Sequence, residues 1–237
     1  MPKDRTIGVW HADLRTVSGW LERLRPLLSA DEAERASRCR TAALRDRCVL
    51  RRGLLRLLLG RCTGRAPEGL AFRYGPQGKP SLDGGPAFNL SDCGDELLIA
   101  VGPEAAPGLE LGVDIERLRT VGGAAGIAGR FFAPAERSAF AALPEALREE
   151  AFLAGWTRKE AFIKATGAGL SMPLDRFAVE LAPGRPARLL ELDESLGAGR
   201  AGDWSLFDLR PAPGTVAALA VRGAGWRAVP ERLAGLL

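Results

Sequence analysis

Turn-forming residues near the middle of the 237-residue chain divide it into two segments of similar length. Glycines and prolines at residues 102–108 separate two predicted strands, 96–101 and 111–116. On each side of this point the pattern is strand, helices and then strands. We therefore predict a mixed α/β (α+β) fold of two similar α/β halves, residues 1–108 and 109–237, packed as a pseudo-dimer with a ligand site between them.

The segment Leu-Gly-Val-Asp-Ile-Glu at residues 111–116 alternates apolar and acidic residues, as in a strand with one buried face. Asp114 and Glu116 should therefore point the same way. Two carboxylates on one strand face repel each other unless a cation or a cationic side chain lies between them. A third carboxylate would complete an oxygen site for Mg²⁺, which binds few carboxylates together with phosphate and water.

A long helix is predicted at residues 149–166, with Gly167 as its stop. Trp156, Glu160 and Lys164 are spaced four apart and so share one stripe of this helix. Alone, that spacing is typical of a surface ion pair beside a core anchor. Combined with the acidic strand, it makes Glu160 the candidate third carboxylate.

Four segments together resemble the signature of the 4′-phosphopantetheinyl transferases, in the same order and at similar spacing. They are GVDIE at 112–116, FFAPAE at 131–136, WTRKEAFIK at 156–164 and GAGL at 167–170. The length of the chain and its N-terminal half resemble the surfactin-type (Sfp-type) branch. The resemblance extends over roughly residues 7–222.

The resemblance implies an enzyme that transfers the 4′-phosphopantetheine arm of coenzyme A to a serine of an apo acyl or peptidyl carrier protein and releases 3′,5′-ADP. It implies Mg²⁺ held by Asp114, Glu116 and Glu160. Glu160, or a water ordered by the metal, would accept the serine proton. Lys164 would stabilise the leaving phosphate.

The resemblance also suggests supporting residues and contacts with coenzyme A. Trp156 and Glu136 would lie behind the metal site, although Glu136 also fits a simple acidic residue at a helix start. Arg35 resembles a basic residue near the 3′-phosphate. The implied coenzyme A contacts are Arg47, Arg52, Lys79, Ser91, Asp92, Asp114, Lys159 and Lys164.

The chain departs from the family pattern at Asp92, where the family commonly has a histidine near the pyrophosphate. A carboxylate near pyrophosphate is unfavourable unless a cation or a donor intervenes. Three outcomes are open: Asp92 turns away, pairs with a nearby arginine, or lowers the affinity for coenzyme A. The departure also leaves an alternative function, a catalytically weakened module that binds carrier protein or coenzyme A.

Charge and composition limit the other classes of protein to which the chain could belong. The net charge of +4 suits an anionic cofactor, an acidic protein or nucleic acid. The arginine-rich region 35–61 has no aromatic residue, which argues against nucleic-acid binding and favours a solvated or phosphate-binding helix face. No apolar stretch approaches the ~20 residues of a membrane span, and no secretory pattern is present. We expect a cytoplasmic monomer with free thiols and no zinc site.

The remaining elements are predicted from local patterns. His11, the only histidine, is expected to be structural or to lie at a rim. One helix is expected from the Ser29 cap to Gly60, and residues 117–130 read as a weak helix or a mobile loop. Strands are expected at 7–14, 177–181, 187–190, 204–209 and 216–221, a first helix at 17–28, and residues beyond 223 give little signal.

Overall fold

The computed structural model describes residues 5–106 and 108–236, and within these ranges it contains eleven strands and six helices. Pro107, part of the predicted boundary segment, lies outside the described residues. The strands are β1 (Thr6–Asp13), β2 (Phe72–Tyr74), β3 (Pro80–Leu82), β4 (Phe88–Cys93), β5 (Glu96–Val101), β6 (Leu111–Arg117), β7 (Phe177–Val179), β8 (Leu189–Leu192), β9 (Trp204–Leu209), β10 (Thr215–Arg222) and β11 (Arg227–Arg232). The helices are α1 (Leu21–Leu24), α2 (Ala30–Ser37), α3 (Ala42–Thr63), α4 (Ala124–Phe131), α5 (Pro134–Ala142) and α6 (Glu145–Thr166).

The order of elements is repeated in the two halves of the chain. An opening strand leads through two shorter helices to a helix of 22 residues, α3 or α6. A small antiparallel pair and two further strands follow in each half. The sheets share one strand order, opening strand, last strand and middle strand, as β1-β5-β4 and β6-β10-β9. This repeat confirms the predicted fold class.

One strand crosses between the halves. β11 follows the second half in sequence but pairs in parallel with β1, so it extends the first sheet. The division of the chain into two domains at residue 108 therefore stays a prediction. Among the described residues, no helix has the length and apolar character needed to cross a membrane.

The two sheets pack face to face, and one long helix covers the outer side of each. Alternation along a strand decides which layer each side chain joins. In β5, Leu97 and Ile99 share a buried cluster with the leucines of α3, whereas Leu98 and Ala100 lie between the sheets. The layers are therefore α3, first sheet, second sheet and α6.

β6 follows the same rule and thereby positions two carboxylates. Val113 and Ile115 are buried between the sheets. Asp114 and Glu116, at the alternate positions, point to the side covered by α6, and Asp114 lies beside Ala218 of β10. The common direction predicted for the two acids is confirmed.

A glycine allows α6 to lie directly on β6. A Cβ atom added at Gly112 would come within 2.2 Å of the Ala161 carbonyl oxygen and 2.3 Å of the Ala165 nitrogen. Such distances are far below van der Waals contact, so a larger residue would force the helix away. This close approach brings the stripe of α6 that carries Glu160 and Lys164 over the acidic face of β6.

Several boundaries differ from the sequence-based prediction. The helix expected from Ser29 to Gly60 is two helices, because Thr41 caps a new start by accepting from the Leu44 amide at 3.2 Å. The helix expected at 17–28 is reduced to short turns around α1, where Pro26 lacks an amide donor. The ambiguous segment 117–130 contains α4, and β11 lies in the tail that gave little signal.

Candidate active site

Two strands and one helix bring a serine, an aspartate and a lysine together. Ser91 comes from β4, Asp114 from β6 and Lys164 from α6, so both halves contribute. The Lys164 Nζ donates to Asp114 Oδ1 at 2.6 Å and to Ser91 Oγ at 2.8 Å, and Ser91 Oγ donates to the same carboxylate oxygen at 2.8 Å. Asp114 is buried, while the Lys164 side chain keeps 30% of its surface exposed. We call this group the Ser91–Asp114–Lys164 triangle.

Glu160 lies one helical turn before Lys164, on the side of α6 that faces the triangle. Burial raises the pKa of the half-buried Glu160 carboxyl, and the charges of Asp114 and Glu116 raise it further, against the opposite effect of Lys164. Within the described residues, Glu160 accepts no hydrogen bond. The three predicted carboxylates therefore share one electrostatic environment in which ionised Glu160 lacks a direct cationic partner.

Glu116 lies at the edge of this group. Its Oε2 accepts from the Cys93 thiol at 3.4 Å and lies 3.4 Å from Arg119 Nη2. The 3.4 Å contact with Arg119 is longer than a usual charge-assisted hydrogen bond, so this ion pair holds the carboxylate weakly. Glu116 lies near the end of β6 and is half-buried.

The donor types suit a hard divalent cation, although the side chains as they lie do not enclose one. Asp114, Glu116 and Glu160 supply carboxylate oxygens, which Mg²⁺ binds together with phosphate and water, and a cation between them would relieve their mutual repulsion. Within the described residues, no group of three acidic, thiol or imidazole side chains is close enough to hold a metal. The Lys164 ammonium is bonded to Asp114 at 2.6 Å, in place of any other cation. A cation bound to Asp114 Oδ1 would have to displace the Lys164 ammonium from that oxygen.

A basic cavity lies next to the triangle, between α2, α3 and β4. Its volume is about 290 Å³, and its charged lining consists of Glu32, Arg35, Arg51, Arg52 and Asp92. We call it the arginine cavity. Arg52 Nε lies 3.3 Å from Glu32 Oε1, and the buried Arg52 Nη1 finds no hydrogen-bond acceptor among the residues that the structure describes. Three guanidinium groups against two carboxylates make the cavity suited to an anion.

Asp92 pairs with an arginine, one of the three outcomes that the sequence left open. Its Oδ2 lies 2.9 Å from Arg51 Nη2. Burial raises the pKa of the Asp92 carboxyl, whereas the charges of Arg51 and Lys164 act to lower it. The carboxylate thus lies between the arginine cavity and the triangle, with its charge balanced by neighbouring cations.

Two further predicted phosphate contacts are occupied by other partners. Arg47 Nε donates to Asp95 Oδ1 at 2.7 Å, on the side of α3 that faces the turn between β4 and β5. Lys79 Nζ donates to the carbonyl oxygens of Leu111 and Ala165, each at 2.9 Å. Neither side chain lies in the triangle. A contact with coenzyme A would require each to leave or share these partners.

The structure does not bring Lys159 and Glu136 to the triangle. Lys159 is fully buried on another face of α6, where its Nζ lies 2.7 Å from Glu136 Oε2 and donates to the carbonyls of Leu174 and Phe177. The other Glu136 oxygen accepts from the Val179 amide at 2.8 Å. Successive helix positions differ by about 100°, so the neighbours Lys159 and Glu160 point in different directions. In place of the expected phosphate contact, Lys159 forms a buried ion pair that ties α5, α6 and β7 together.

Trp156 belongs to an aromatic cluster at the start of the same stripe. Its ring lies 6.1 Å from the Phe152 ring in a stacked arrangement and 6.3 Å from Phe131 edge-on. This packing fixes α6 against α4. His11 is buried as expected of a structural residue, with Nε2 2.7 Å from Glu96 Oε2.

Two residues at the site were not singled out from the sequence. Arg51 was one of eight arginines between residues 35 and 56 and gave no separate signal. Its spacing of four from Arg47 places it on the same helix face, one turn nearer the triangle. Asn89 accepts from the Val113 amide at 2.9 Å and so fixes β4 against β6.

Comparisons with known proteins agree with the family resemblance. The model of the 4′-phosphopantetheinyl transferase superfamily matches residues 110–220. The chain is 35% identical over 226 residues to the 4′-phosphopantetheinyl transferase HetI of Nostoc sp., with 93% of this chain and 90% of HetI covered. It is 31% identical over 162 residues to the 4′-phosphopantetheinyl transferase Sfp of Bacillus subtilis, with 68% and 69% covered. The crystal structure of Thermotoga maritima holo-[acyl-carrier-protein] synthase (AcpS) matches 49% of this chain and 65% of its own, with 22% identity and a TM-score of 0.36.

Proposed function

Because this chain belongs to the 4′-phosphopantetheinyl transferase superfamily, we propose that it transfers the 4′-phosphopantetheine arm of coenzyme A to a serine of an apo carrier protein and releases 3′,5′-ADP. The observation that carries the proposal is the Ser91–Asp114–Lys164 triangle, with Glu160 beside it and the arginine cavity adjoining it. This arrangement places the acids and an ammonium group in the seam between the two halves, with an anion-binding cavity of the first half beside them.

The reaction joins the serine oxygen to the phosphorus that carries the pantetheine arm and breaks the bond from that phosphorus to the bridging oxygen of the pyrophosphate. Charge builds on the leaving 3′,5′-ADP, and Lys164 would donate hydrogen bonds to it. Glu160, or a water ordered by the metal, would accept the serine proton. Ser91 can donate to a phosphate oxygen once Asp114 is engaged elsewhere.

Asp114, Glu116 and Glu160 would hold the Mg²⁺ that the family resemblance implies. When bound, the ion would offset negative charge on the pyrophosphate and on these three carboxylates. The Lys164 ammonium, released from Asp114, would then be free for the leaving phosphate. The arginine cavity, with Arg35 and Arg52 in its lining, would take a phosphate group of coenzyme A.

The partner would be an apo acyl or peptidyl carrier protein of fatty-acid, polyketide or nonribosomal-peptide synthesis. Carrier proteins are typically acidic helical bundles, and the net charge of +4 of this chain favours their approach. We propose that the enzyme works as a cytoplasmic monomer, because its two halves already supply both sides of the seam.

Intact-protein mass spectrometry of an apo carrier protein tests this function directly. The carrier is incubated with the enzyme, coenzyme A and Mg²⁺, and parallel samples contain EDTA. We expect a mass gain of one phosphopantetheine that EDTA abolishes, and no gain with Asp114→Asn. Glu149→Gln, the same type of change at an exposed acid of α6, serves as the control and should retain full transfer.

The alternative of a weakened binding module makes a different prediction. Such a protein would bind coenzyme A in calorimetry but would leave both acyl and peptidyl carriers unmodified. The Arg51–Asp92 ion pair favours the enzyme, because it offsets the negative charge that prompted the alternative. Absence of transfer to any carrier by a folded wild-type protein would refute the proposed function.

A further inference from the structure

Two arginine–aspartate pairs connect α3 to the hairpin of β4 and β5. Arg47 pairs with Asp95 at 2.7 Å, and Arg51, one helical turn later, pairs with Asp92 at 2.9 Å. The pairs have similar exposure, 34% and 21% for the first and 25% and 33% for the second. They differ in position, because both members of the second pair line the arginine cavity.

The Arg51 guanidinium has more donors than the protein satisfies. A guanidinium carries five N–H groups in a rigid fork. In Arg51, Nη2 lies 2.9 Å from Asp92 Oδ2 in an ion pair and donates to the Gly94 carbonyl at 3.3 Å. Its Nε is buried without an acceptor, and no described residue accepts from Nη1. Buried donors without acceptors are unfavourable, so this geometry is suited to an added anion.

Asp92 fixes the side of Arg51 that is left free. Strand alternation points Ser91 toward the triangle and Asp92 toward α3. By binding Nη2, Asp92 and the Gly94 carbonyl clamp the guanidinium at one end. The unused N–H groups therefore stay at the cavity, next to the triangle, instead of sampling other rotamers in solvent.

We propose that Asp92 is a positioning residue that holds Arg51 at the arginine cavity, so that Arg51 binds a phosphate of coenzyme A. The proposal rests on coenzyme A being the substrate and assigns the contact to Arg51 in preference to Arg47. It also gives Asp92 a favourable role in binding. A carboxylate that merely repelled the phosphates would have the opposite effect.

The change Asp92→Asn distinguishes a positioning role from simple repulsion of the phosphates, because the two predict opposite changes in the Kd of coenzyme A. The amide keeps the shape of the side chain but loses the charge that clamps Arg51. Without the clamp, Arg51 should lose one charge-assisted hydrogen bond to the phosphate. This corresponds to about a tenfold increase in the Kd of coenzyme A, measured by calorimetry without carrier protein. Asp92→Glu, which keeps the charge, should restore part of the affinity. An unchanged or lower Kd for Asp92→Asn would overturn the proposal.

Two comparisons show whether Asp92 acts through Arg51. In an Arg51→Ala background, Asp92→Asn should have little further effect on Kd, as expected when one residue acts only by positioning the other. Asp95→Asn, the same change in the other pair, should alter Kd less than Asp92→Asn does. Independent effects of Asp92→Asn and Arg51→Ala, or a larger effect at Asp95, would refute the assignment. A lower melting temperature of Asp92→Asn with an unchanged Kd would also refute it.

A parallel titration with 3′-dephospho-coenzyme A identifies which phosphate Arg51 meets. If Asp92→Asn raises the Kd of both ligands by the same factor, Arg51 meets the pyrophosphate. If it raises the Kd of coenzyme A but not that of the dephospho compound, Arg51 meets the 3′-phosphate. Either result supports the role of Asp92. Because Kd is measured without a carrier, the inference can hold even if the protein binds coenzyme A and fails to transfer. A wild-type protein that does not bind coenzyme A would overturn it.

Discussion

The Lys79 ammonium makes the stability of this protein depend on pH in a way that can be calculated. It lies on the loop before β3 and donates to carbonyl oxygens of β6 and α6, so it joins the two halves through one charged group. Burial lowers the pKa of Lys79 from 10.5 to about 8, against a smaller opposite effect of Glu110. The folded state therefore keeps the proton less tightly than the unfolded chain.

The size and sign of the effect of Lys79 on the free energy of unfolding follow from this difference in pKa. A shift from 10.5 to about 8 corresponds to about 3 kcal/mol of destabilisation at neutral pH, at about 1.4 kcal/mol per pH unit. Between pH 8 and 10.5 the unfolded chain binds a proton that the folded protein has released. The free energy of unfolding must then rise with pH across this window, because stability increases wherever the unfolded state binds more protons.

Urea unfolding of the wild type and of Lys79→Met at several pH values measures the effect. The methionine cannot titrate, and the unpaired carbonyls that it leaves behind add a cost that does not depend on pH. We expect the stability of the wild type relative to Lys79→Met to increase by about 2 kcal/mol between pH 7.5 and 10. Other titrating groups are present in both proteins and cancel. A difference that stays flat or falls with pH would refute the reasoning.

Three further predictions concern packing and charge. Gly112→Ala should destabilise the protein by about 3 kcal/mol in urea unfolding, because its Cβ overlaps the backbone of α6, whereas Gly126→Ala in α4, with open space around its Cβ, should be neutral or slightly stabilising. Glu136→Gln should lower the free energy of unfolding by about 3–5 kcal/mol, because it leaves the buried Lys159 ammonium without its carboxylate. Adding Lys159→Met removes that ammonium and should recover stability, so a double variant no more stable than Glu136→Gln alone would contradict this. Glu160→Gln should abolish transfer yet raise the melting temperature of the ligand-free protein at pH 7, because burial and neighbouring carboxylates disfavour the Glu160 charge. The gain in melting temperature should vanish at a pH below the usual range of a glutamate pKa, where Glu160 is protonated in both the folded and the unfolded state. Calorimetry at the two pH values checks this.

The parts of the site that could be predicted are those fixed by local geometry. Alternation along β6 requires Asp114 and Glu116 to share a face whatever the rest of the chain does. Helical spacing likewise places Glu160 and Lys164 on one stripe of α6. The strand at 111–116 and the end of α6 at Gly167 depended only on neighbouring residues, and both are confirmed.

The parts that could not be predicted depend on contacts between distant segments. Lys159 lies beside Glu160 in sequence, but its acceptors come from residues 15 and 18 positions later, beyond the end of the helix. Arg51 differs from its neighbouring arginines only because Asp92 of another strand reaches it. No local pattern records either contact. The break between α2 and α3 was hidden because arginines continue through it.

The return of β11 to the first sheet bears on how the chain is synthesised. A ribosome releases β1, β4 and β5 early, but the strand that covers the outer edge of β1 emerges only after the whole second half. At about 5–20 residues per second, the interval between β5 and β11 lasts on the order of ten seconds. Throughout it, β1 offers unpaired backbone groups to any neighbouring nascent chain on the same messenger. Completion of the first sheet thus waits for synthesis of the whole second half, and chains interrupted before β11 would be released with an open edge that favours aggregation.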